Sequence, residues 1–326
     1  MKSNTDQDGN TGIGEVAPIE RLSPDEIEEI PAQIEKFASK LSSVIAPSTR
    51  EEVYGLVSSL VKGSFSSLKF GLEMCLLDLI GGGKKEIFSN NLPSIELPIN
   101  GLVWMGDEDF MRNQIKEKLD EGFSCIKLKI GSLDFDTELK ILRDLRSISD
   151  DIIIRLDANG AFQVNEVLLK LRKLSEFNIH SIEQPILPMQ PEALEMVCIK
   201  SEIPIALDEE LIWVSREKER LQLLQEIKPH YLVLKPTLHG GFASVENWID
   251  LAGIQGIDWW ITSYLESNLG LNAIAQFASL YPNTNHHGLS TGSLYSNNII
   301  SPIHIVEGQL TYADSATWGD VSFQNS

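Results

Sequence analysis

The sequence IIIRLDANG at residues 152–160 begins as an apolar, β-branched run and carries an acid, Asp157, near its end. Such a run is typical of a strand that is buried on both faces of a parallel sheet. Seven similar runs accompany it, separated by amphipathic stretches with leucine and isoleucine at helical spacing. They are PINGLVWMG (98–106), CIKLKIG (125–131), IHSIEQPI (179–186), PIALDEEL (204–211), YLVLKPTL (231–238), DWWITSYLES (258–267) and HHGLSTG (286–292). Eight strands with intervening helices favour a closed α/β barrel over an open doubly wound sheet.

The flanking segments have a different pattern. GIGEVAPI (12–19) is strand-like, and the stretches at 23–41 and 67–82 have helical periodicity. We therefore predict an α+β capping domain over residues 1–97 and a (β/α)7β TIM-like barrel over 98–298. A tail over 299–326 is expected to pack on the capping domain.

Composition limits the partners of this chain. With 27 basic and 47 acidic residues its formal charge is −20, which argues against nucleic acid or an anionic membrane surface as a partner. No apolar run approaches the roughly 20 residues that span a bilayer, so we predict a cytoplasmic protein. Cys75, Cys125 and Cys198 are far apart in apolar surroundings and are expected to be reduced thiols of the core.

Ionisable residues interrupt five consecutive strand runs near their C-terminal ends. They are spaced 25 to 28 positions apart, one strand–helix unit each, and comprise Lys129, Asp157, Glu183, Asp208 and Lys235. Burying a lone charge costs several kcal/mol, so such groups must be paired or hold a metal. Because charges at this mouth of a barrel are typical of catalysis, the sequence predicts an active site there.

The types of residue in this row indicate its chemistry. Asp157, Glu183 and Asp208 offer the oxygen ligands that Mg²⁺ prefers, with Mn²⁺ a possible substitute. Lys129 and Lys235 come from strands on either side of the three acids, and Lys127 lies two residues before Lys129. This arrangement suits removal of a proton next to the carboxylate of a small-molecule substrate held by the metal.

These residues and their surroundings resemble the enolase superfamily, in the muconate-lactonizing-enzyme-like branch that has KxK on the second strand and Lys on the sixth. The closer resemblance is to the o-succinylbenzoate synthase family of menaquinone biosynthesis, through INGLVWMG, IKLKIG, LDANGAF, HSIEQPI, PIALDEEL, LKPTLHGGF and ITSYLESNLGLNAIAQ. The resemblance implies Mg²⁺ as cofactor. It also implies syn elimination of water from 2-succinyl-6-hydroxy-2,4-cyclohexadiene-1-carboxylate to give 2-succinylbenzoate.

The resemblance also implies a role for each matching residue. Lys129 takes the α-proton and later protonates the departing hydroxide, while Lys235 stabilises the enediolate from the opposite face. Asp157, Glu183 and Asp208 bind the metal. The residues that orient these groups are Lys127, Asn159 and Glu209. The residues expected to contact the succinyl arm are Ser263, Glu266, Ser267, Thr291 and Gly292.

Two alternatives stay open at this point. Racemization of N-succinylamino acids, or another racemase or epimerase reaction, needs the same two lysines. Family members usually have a first strand and an Arg-containing loop before GIGE, whereas this sequence begins at Met1 close to Gly12. We therefore expect the capping domain to lack its first strand, and a metal-binding but catalytically weak barrel is the alternative of a different class.

Overall fold

The computed structural model describes residues 9–41, 44, 46–88, 91–282, 285–313 and 317–321, so residues 1–8 of the predicted capping domain lie outside the described residues. Its N-terminal part contains the helices α1 (Ile30–Leu41), α2 (Arg50–Leu60) and α3 (Ser66–Ile80). The helices predicted around 23–41 and 67–82 are thus confirmed. The first begins later than predicted, at Ile30, and the second ends earlier, at Ile80. No helix in the described part of the chain is long and apolar enough to cross a membrane.

The segment GIGEVAPI lies flat on α3 and does not form the predicted strand among the residues described. A side chain at Gly14 would place its Cβ 1.9 Å from the carbonyl oxygen of Gly71, so only glycine permits this approach. The Ile13 N–H is donated to Asp78 Oδ2 at 2.9 Å. The segment therefore follows the surface of α3, and only Ile13 forms a single β-bridge.

The rest of the chain alternates strands and helices, after a short strand β1 (Glu96–Pro98). The elements are β2 (Gly101–Val103), α4 (Glu108–Asp120), β3 (Cys125–Lys129), α5 (Phe135–Ile148), β4 (Ile153–Asp157), α6 (Val167–Ser175), β5 (Ile179–Glu183), α7 (Pro191–Lys200), β6 (Ile205–Leu207), α8 (Glu217–Ile227), β7 (Tyr231–Leu234), α9 (Pro236–His239), α10 (Phe242–Gln255), β8 (Asp258–Ile261) and α11 (Asn268–Ala278). Strands β2 to β8 form one parallel sheet in sequence order. This order confirms the predicted α/β barrel class.

The sheet closes through a very short eighth position rather than a full strand over 286–292. His287 forms a parallel bridge with Ile99, and Gly288 forms one with Thr262. The His287 N–H is donated to Pro98 at 2.8 Å, and the Gly288 N–H to Ile261 at 2.9 Å. Two residues therefore join both edges of the sheet.

The predicted first strand run at 98–106 is divided between two sheets. Strand β1 pairs antiparallel with β10 (Gln309–Tyr312), which pairs with β9 (Ile303–Val306), whereas β2 belongs to the barrel. The tail thus pairs with residues just before the barrel. Lys85 in the N-terminal part also lies over the ring of Trp318, 5.4 Å from its centroid. The division into segments 1–97, 98–298 and 299–326 stays a prediction.

Two acids of the N-terminal part cap helices of the barrel. Glu15 accepts the backbone N–H groups of Ser267 at 2.8 Å and Gly270 at 2.9 Å, at the start of α11. Glu73 of α3 accepts the N–H of Phe242 at 2.6 Å, at the start of α10. The first N–H groups of a helix lack intrahelical acceptors and carry partial positive charge, so these carboxylates fix the N-terminal part to the barrel.

The barrel interior contains an arginine surrounded by histidines. Arg155 stacks on Trp260 at 3.8 Å from the ring centroid and donates to the His286 carbonyl at 2.6 Å. Burial, with the Arg155 charge, lowers the pKa of His180, His286 and His287 to about 4 each. The His287 ring also accepts the Ile261 N–H through Nδ1 at 3.1 Å, which requires an unprotonated nitrogen.

We predict that these three histidines contribute stability that is lost as the pH falls from about 6.5 to 4. Histidine in an unfolded chain has a pKa of about 6.5. Over this window these three histidines bind protons in the unfolded chain but not in the folded protein, so their contribution to the free energy of unfolding, complete above it, falls with pH. Urea titrations at several pH values measure this fall. His287→Asn, which keeps an acceptor but does not titrate, should make the fall shallower.

His304→Asn provides the matched control, because His304 is exposed on β9. It should leave the pH dependence of unfolding unchanged. An equal slope in the wild type and His287→Asn would contradict the prediction.

Candidate active site

The strand register brings the predicted ionisable residues together. Lys129 lies opposite Asp157 in the β3–β4 pair, and Asp157 lies opposite Glu183 in the β4–β5 pair. Asp208 directly follows β6, and Lys235 directly follows β7. Because the five strands are parallel and adjacent, all five residues meet at the C-terminal mouth of the barrel.

Lys127 bridges two of the buried acids. Its Nζ lies 2.5 Å from Glu183 Oε2 and 3.0 Å from Asp157 Oδ2. Both acid side chains are at most 1% exposed, and the Lys127 side chain is 10% exposed. A buried carboxylate without a cation is costly, so Lys127 compensates a charge that the apolar barrel alone would not tolerate.

Lys129 is held by a chain of hydrogen bonds at the mouth. Its Nζ donates to Asp157 Oδ2 at 3.0 Å and to Asn159 Oδ1 at 2.8 Å. Asn159 in turn donates from Nδ2 to Glu209 Oε1 at 2.8 Å. The Asn159 backbone has φ +42°, a left-handed conformation that asparagine tolerates well. The ring of Trp104 lies 5.6 Å from Nζ, so polar and aromatic groups together set the position of this amine.

Lys235 lies across the acids from Lys129. Its Nζ donates to Asp208 Oδ2, and its side chain is 15% exposed. Its backbone N–H is donated to His239 Nδ1 at 3.2 Å, which fixes the turn after β7. Strands β4, β5 and β6, which carry or precede the acids, separate the two lysines in the sheet.

Burial and ion pairing act in opposite directions on these groups. Burial raises the pKa of the Glu183 carboxyl above its ordinary value, although Lys127 opposes it. Burial would also raise the pKa of Asp157, but Lys127 and Lys129 outweigh burial and hold it well below its usual range. For Lys127 and Lys235, burial lowers the pKa, but the neighbouring carboxylates raise it by more, so the pKa of each lysine lies above its ordinary value. Lys127 and Lys235 are therefore ammonium groups while they are paired with these carboxylates.

Several acid oxygens at the mouth lack a partner among the described residues. They are Glu183 Oε1, Asp208 Oδ1 and Glu209 Oε2. No three His, Cys, Asp or Glu side chains in the described ranges stand close enough together to hold a metal as they are. Lys127 lies between the acids of β4 and β5 and binds one oxygen of each. The unpartnered oxygens on neighbouring strands nevertheless fit a hard divalent cation, because each is an anionic oxygen that lacks a donor.

A cavity of about 220 Å³ opens over this row. Lys127, Lys129, Asp157 and Lys235 contribute to its wall. Its rim is largely apolar and includes Leu22, Leu102, Trp104, Leu238 and Leu265. A site with a charged floor and an apolar rim suits an organic acid that has a hydrophobic body.

Two of the five residues predicted to contact the succinyl arm line this cavity. They are Ser263 and Thr291, whose hydroxyl groups are hydrogen-bonded to each other. The wall formed by described residues does not include the other three, and each has a different environment. Glu266 accepts from the Thr237 hydroxyl, Ser267 caps α11, and a side chain at Gly292 would meet Asn268 Oδ1 at 2.7 Å.

Sequence reasoning did not single out several residues of the wall. Trp104 directly follows β2 in the run PINGLVWMG, and the strand-end argument applied to the other strands would have found it. Leu22 has no such signal, because it comes from the segment before α1 and reaches the mouth only in the folded protein.

Comparison with known proteins gives a family match. Residues 110–317 match the family described as enolase C-terminal domain-like, which confirms the resemblance found in the sequence. The o-succinylbenzoate synthase of Desulfotalea psychrophila is 43% identical over 94% of this chain and 89% of that protein.

A solved structure and a second relative extend the comparison. The crystal structure of MenC from Desulfotalea psychrophila superimposes with a TM-score of 0.87 and 42% identity, covering 94% of this chain and 92% of that one. The N-succinylamino acid racemase of an Amycolatopsis species is 27% identical over 74% of this chain and 65% of that protein.

We predict that Lys127→Met lowers the free energy of unfolding by about 3–5 kcal/mol, because it leaves Glu183 and Asp157 with one fewer buried cation. Urea unfolding at pH 7 in the presence of a chelator measures this loss. The control is Lys140→Met, which removes a partner of Glu108 from a lysine whose side chain is 59% exposed. That change should cost under about 1 kcal/mol, and a similar cost for both variants would refute the prediction.

Proposed function

The chain belongs to the enolase C-terminal domain-like family, and we propose that it is an o-succinylbenzoate synthase of menaquinone biosynthesis. Its reaction removes water from 2-succinyl-6-hydroxy-2,4-cyclohexadiene-1-carboxylate and gives 2-succinylbenzoate. The observation that carries this proposal is the 43% identity over 94% of the chain to a synthase of that activity. The placement of Lys129 and Lys235 around one cavity agrees with it.

Asp157, Glu183 and Asp208 are the proposed ligands of a divalent metal, with Mg²⁺ the first choice and Mn²⁺ a substitute. When bound, the metal would attract the substrate carboxylate and stabilise the negative charge that develops on it. The unpartnered oxygens of Glu183 and Asp208 support this assignment. The acid–lysine pairs at the mouth also keep the charge of the site balanced in the absence of a metal.

Lys129 acts as both base and acid in this proposal. Its neutral amine takes the proton from the carbon that bears the carboxylate. The resulting ammonium then gives that proton to the hydroxyl group as it leaves the neighbouring carbon, so that water departs and the amine is regenerated. One residue on one face performs both transfers, which makes the elimination syn. The hydrogen bond from Nζ to Asn159 Oδ1 fixes the direction of the amine.

Lys235 remains an ammonium group on the opposite side. Its positive charge stabilises the negative charge that forms on the substrate once the α-proton has left. Lys127, Asn159 and Glu209 are positioning residues, because their contacts are with the acids and Lys129. Ser263 and Thr291 are the proposed contacts of the succinyl arm, and a cytoplasmic location stays a prediction.

Replacing the base should abolish the reaction while the fold persists. For Lys129→Ala we expect kcat to fall by at least about 10³-fold, because both proton transfers are lost. The assay follows conversion of the cyclohexadiene carboxylate to 2-succinylbenzoate with Mg²⁺ present. Circular dichroism and urea unfolding report whether the barrel is intact.

Lys116→Ala is the matched control, since Lys116 is an exposed lysine of α4. It should retain full activity. Wild-type turnover by Lys129→Ala would rule out the assigned base, and an inactive wild type with bound Mg²⁺ would support the catalytically weak barrel instead.

A second candidate is racemization of N-succinylamino acids, which the similarity to the Amycolatopsis racemase favours. Proton removal by Lys129 and return from Lys235 would invert the α-carbon. We predict that in D₂O the wild type exchanges the α-proton of an N-succinylamino acid at least about tenfold more slowly than it dehydrates the cyclohexadiene carboxylate. Proton NMR measures the exchange, and the opposite order of rates would make racemization the main activity.

A further inference from the structure

Trp104 lines the cavity at the barrel mouth but has no part in the proton transfers proposed above. It directly follows β2, and both its side chain and that of Leu102, two residues earlier, belong to the cavity wall. Side chains two residues apart lie on the same face of a strand, so both are directed to the barrel interior. Trp104 therefore presents its indole ring to a molecule that occupies the cavity.

Two hydrogen bonds from α4 fix the backbone of Trp104. Its N–H donates to Gln114 Oε1 at 3.0 Å, and its carbonyl oxygen accepts from Gln114 Nε2 at 3.1 Å. The last strand pair of β2 is Val103 with Leu128, so Trp104 lies just beyond the ladder. A side-chain amide, which both donates and accepts, replaces the missing strand partner. The ring thus extends from a backbone that is held on both sides.

The indole face is directed toward the proposed base. Lys129 Nζ lies over the ring, 5.6 Å from its centroid. A carbon that gives its proton to this amine must approach it to about 3–3.5 Å. The cavity has a volume of only about 220 Å³. A substrate ring that contains this carbon can therefore reach the range of about 4.5–7 Å in which two ring centroids interact.

The rest of the cavity wall offers little flat surface to a ring. Tyr264 is the other aromatic residue of the wall among those described, and it is only 8% exposed, whereas Trp104 is partly exposed. Aliphatic side chains such as Leu22 and Leu238 make up much of the remaining apolar wall. They contact a flat ring and a puckered ring equally well. An indole face instead favours a flat π-system in an offset stack.

We propose that Trp104 is a specificity-determining residue, which stacks on the substrate ring and selects flat, conjugated ring acids over saturated ones. The inference deepens the proposed function and rests on it, because the substrate of the dehydration has two conjugated double bonds in its ring and the product ring is aromatic. A saturated ring is puckered and has hydrogens on both faces, so it cannot approach the indole as closely. N-succinylamino acids without an aromatic ring would gain nothing from this face.

Isothermal titration calorimetry on the full chain with Mg²⁺ at pH 7 tests this role with two matched ligands. One is 2-succinylbenzoate, and the other is 2-succinylcyclohexane-1-carboxylate, which has the same two carboxylates and the same arm on a saturated ring. The wild type should bind the aromatic ligand at least about fivefold more tightly. Trp104→Leu should bind both ligands with similar affinity, whereas Trp104→Phe, which keeps an aromatic face, should retain most of the preference.

Dehydration kinetics provide a second measurement. The conjugated substrate already makes the stacking contact before its proton leaves, so Trp104→Leu should raise KM about fivefold and change kcat by less than about threefold. A large fall in kcat with an unchanged KM would contradict a stacking role. Gln114→Met removes both hydrogen bonds to the Trp104 backbone but keeps the ring, and it should reduce the preference for the aromatic ligand. This variant carries the test if circular dichroism shows that Trp104→Leu is unfolded.

Trp213→Leu is the matched control, because Trp213 is 61% exposed and does not line this cavity in the described structure. It should retain the wild-type preference. An undiminished preference in folded Trp104→Leu, or in Gln114→Met where Trp104→Leu does not fold, would overturn the inference. So would a wild type that dehydrates its substrate but binds both ligands equally. A wild type that neither dehydrates the substrate nor binds 2-succinylbenzoate would overturn the proposed function and this inference with it.

Discussion

Buried charge at the mouth of the barrel is the constraint on which the rest of this molecule depends. Asp157, Glu183 and Asp208 are almost fully removed from water, and an apolar barrel interior cannot hold three uncompensated carboxylates. The lysines on β3 and after β7 resolve this problem. The same ion pairs bring the groups that would move protons next to those that would hold a metal, so stability and chemistry use one set of contacts.

The apolar rim of the cavity strengthens the ion pairs at the barrel mouth. Leu22, Leu102 and Trp104 limit water at the cavity, which increases every electrostatic interaction beneath them. Trp104 beside Lys129 also places an aromatic face near the amine. An organic acid entering the cavity would exchange its water for fixed charges that already point inward, and little reorganisation would be required during the reaction.

Acidic side chains with fixed partners also join the N-terminal part to the barrel. Glu15 and Glu73 bind the starts of α11 and α10, where backbone N–H groups lack partners. These bonds bring the segment that carries Leu22 to the barrel mouth.

The sequence by itself determined the barrel class, because strands buried on both faces leave a recognisable run of apolar residues. It also determined the five ionisable residues at the strand ends, since a charge in such a run stands out and one strand–helix unit has a regular length. Only the tertiary structure decided that GIGEVAPI lies on α3, that two residues close the barrel, and that Glu266 and Ser267 have structural partners. It alone brought Leu22 and the acids at helix starts to their sites. Those outcomes depend on contacts between residues far apart in the chain, whose energies leave no periodic pattern in the local sequence.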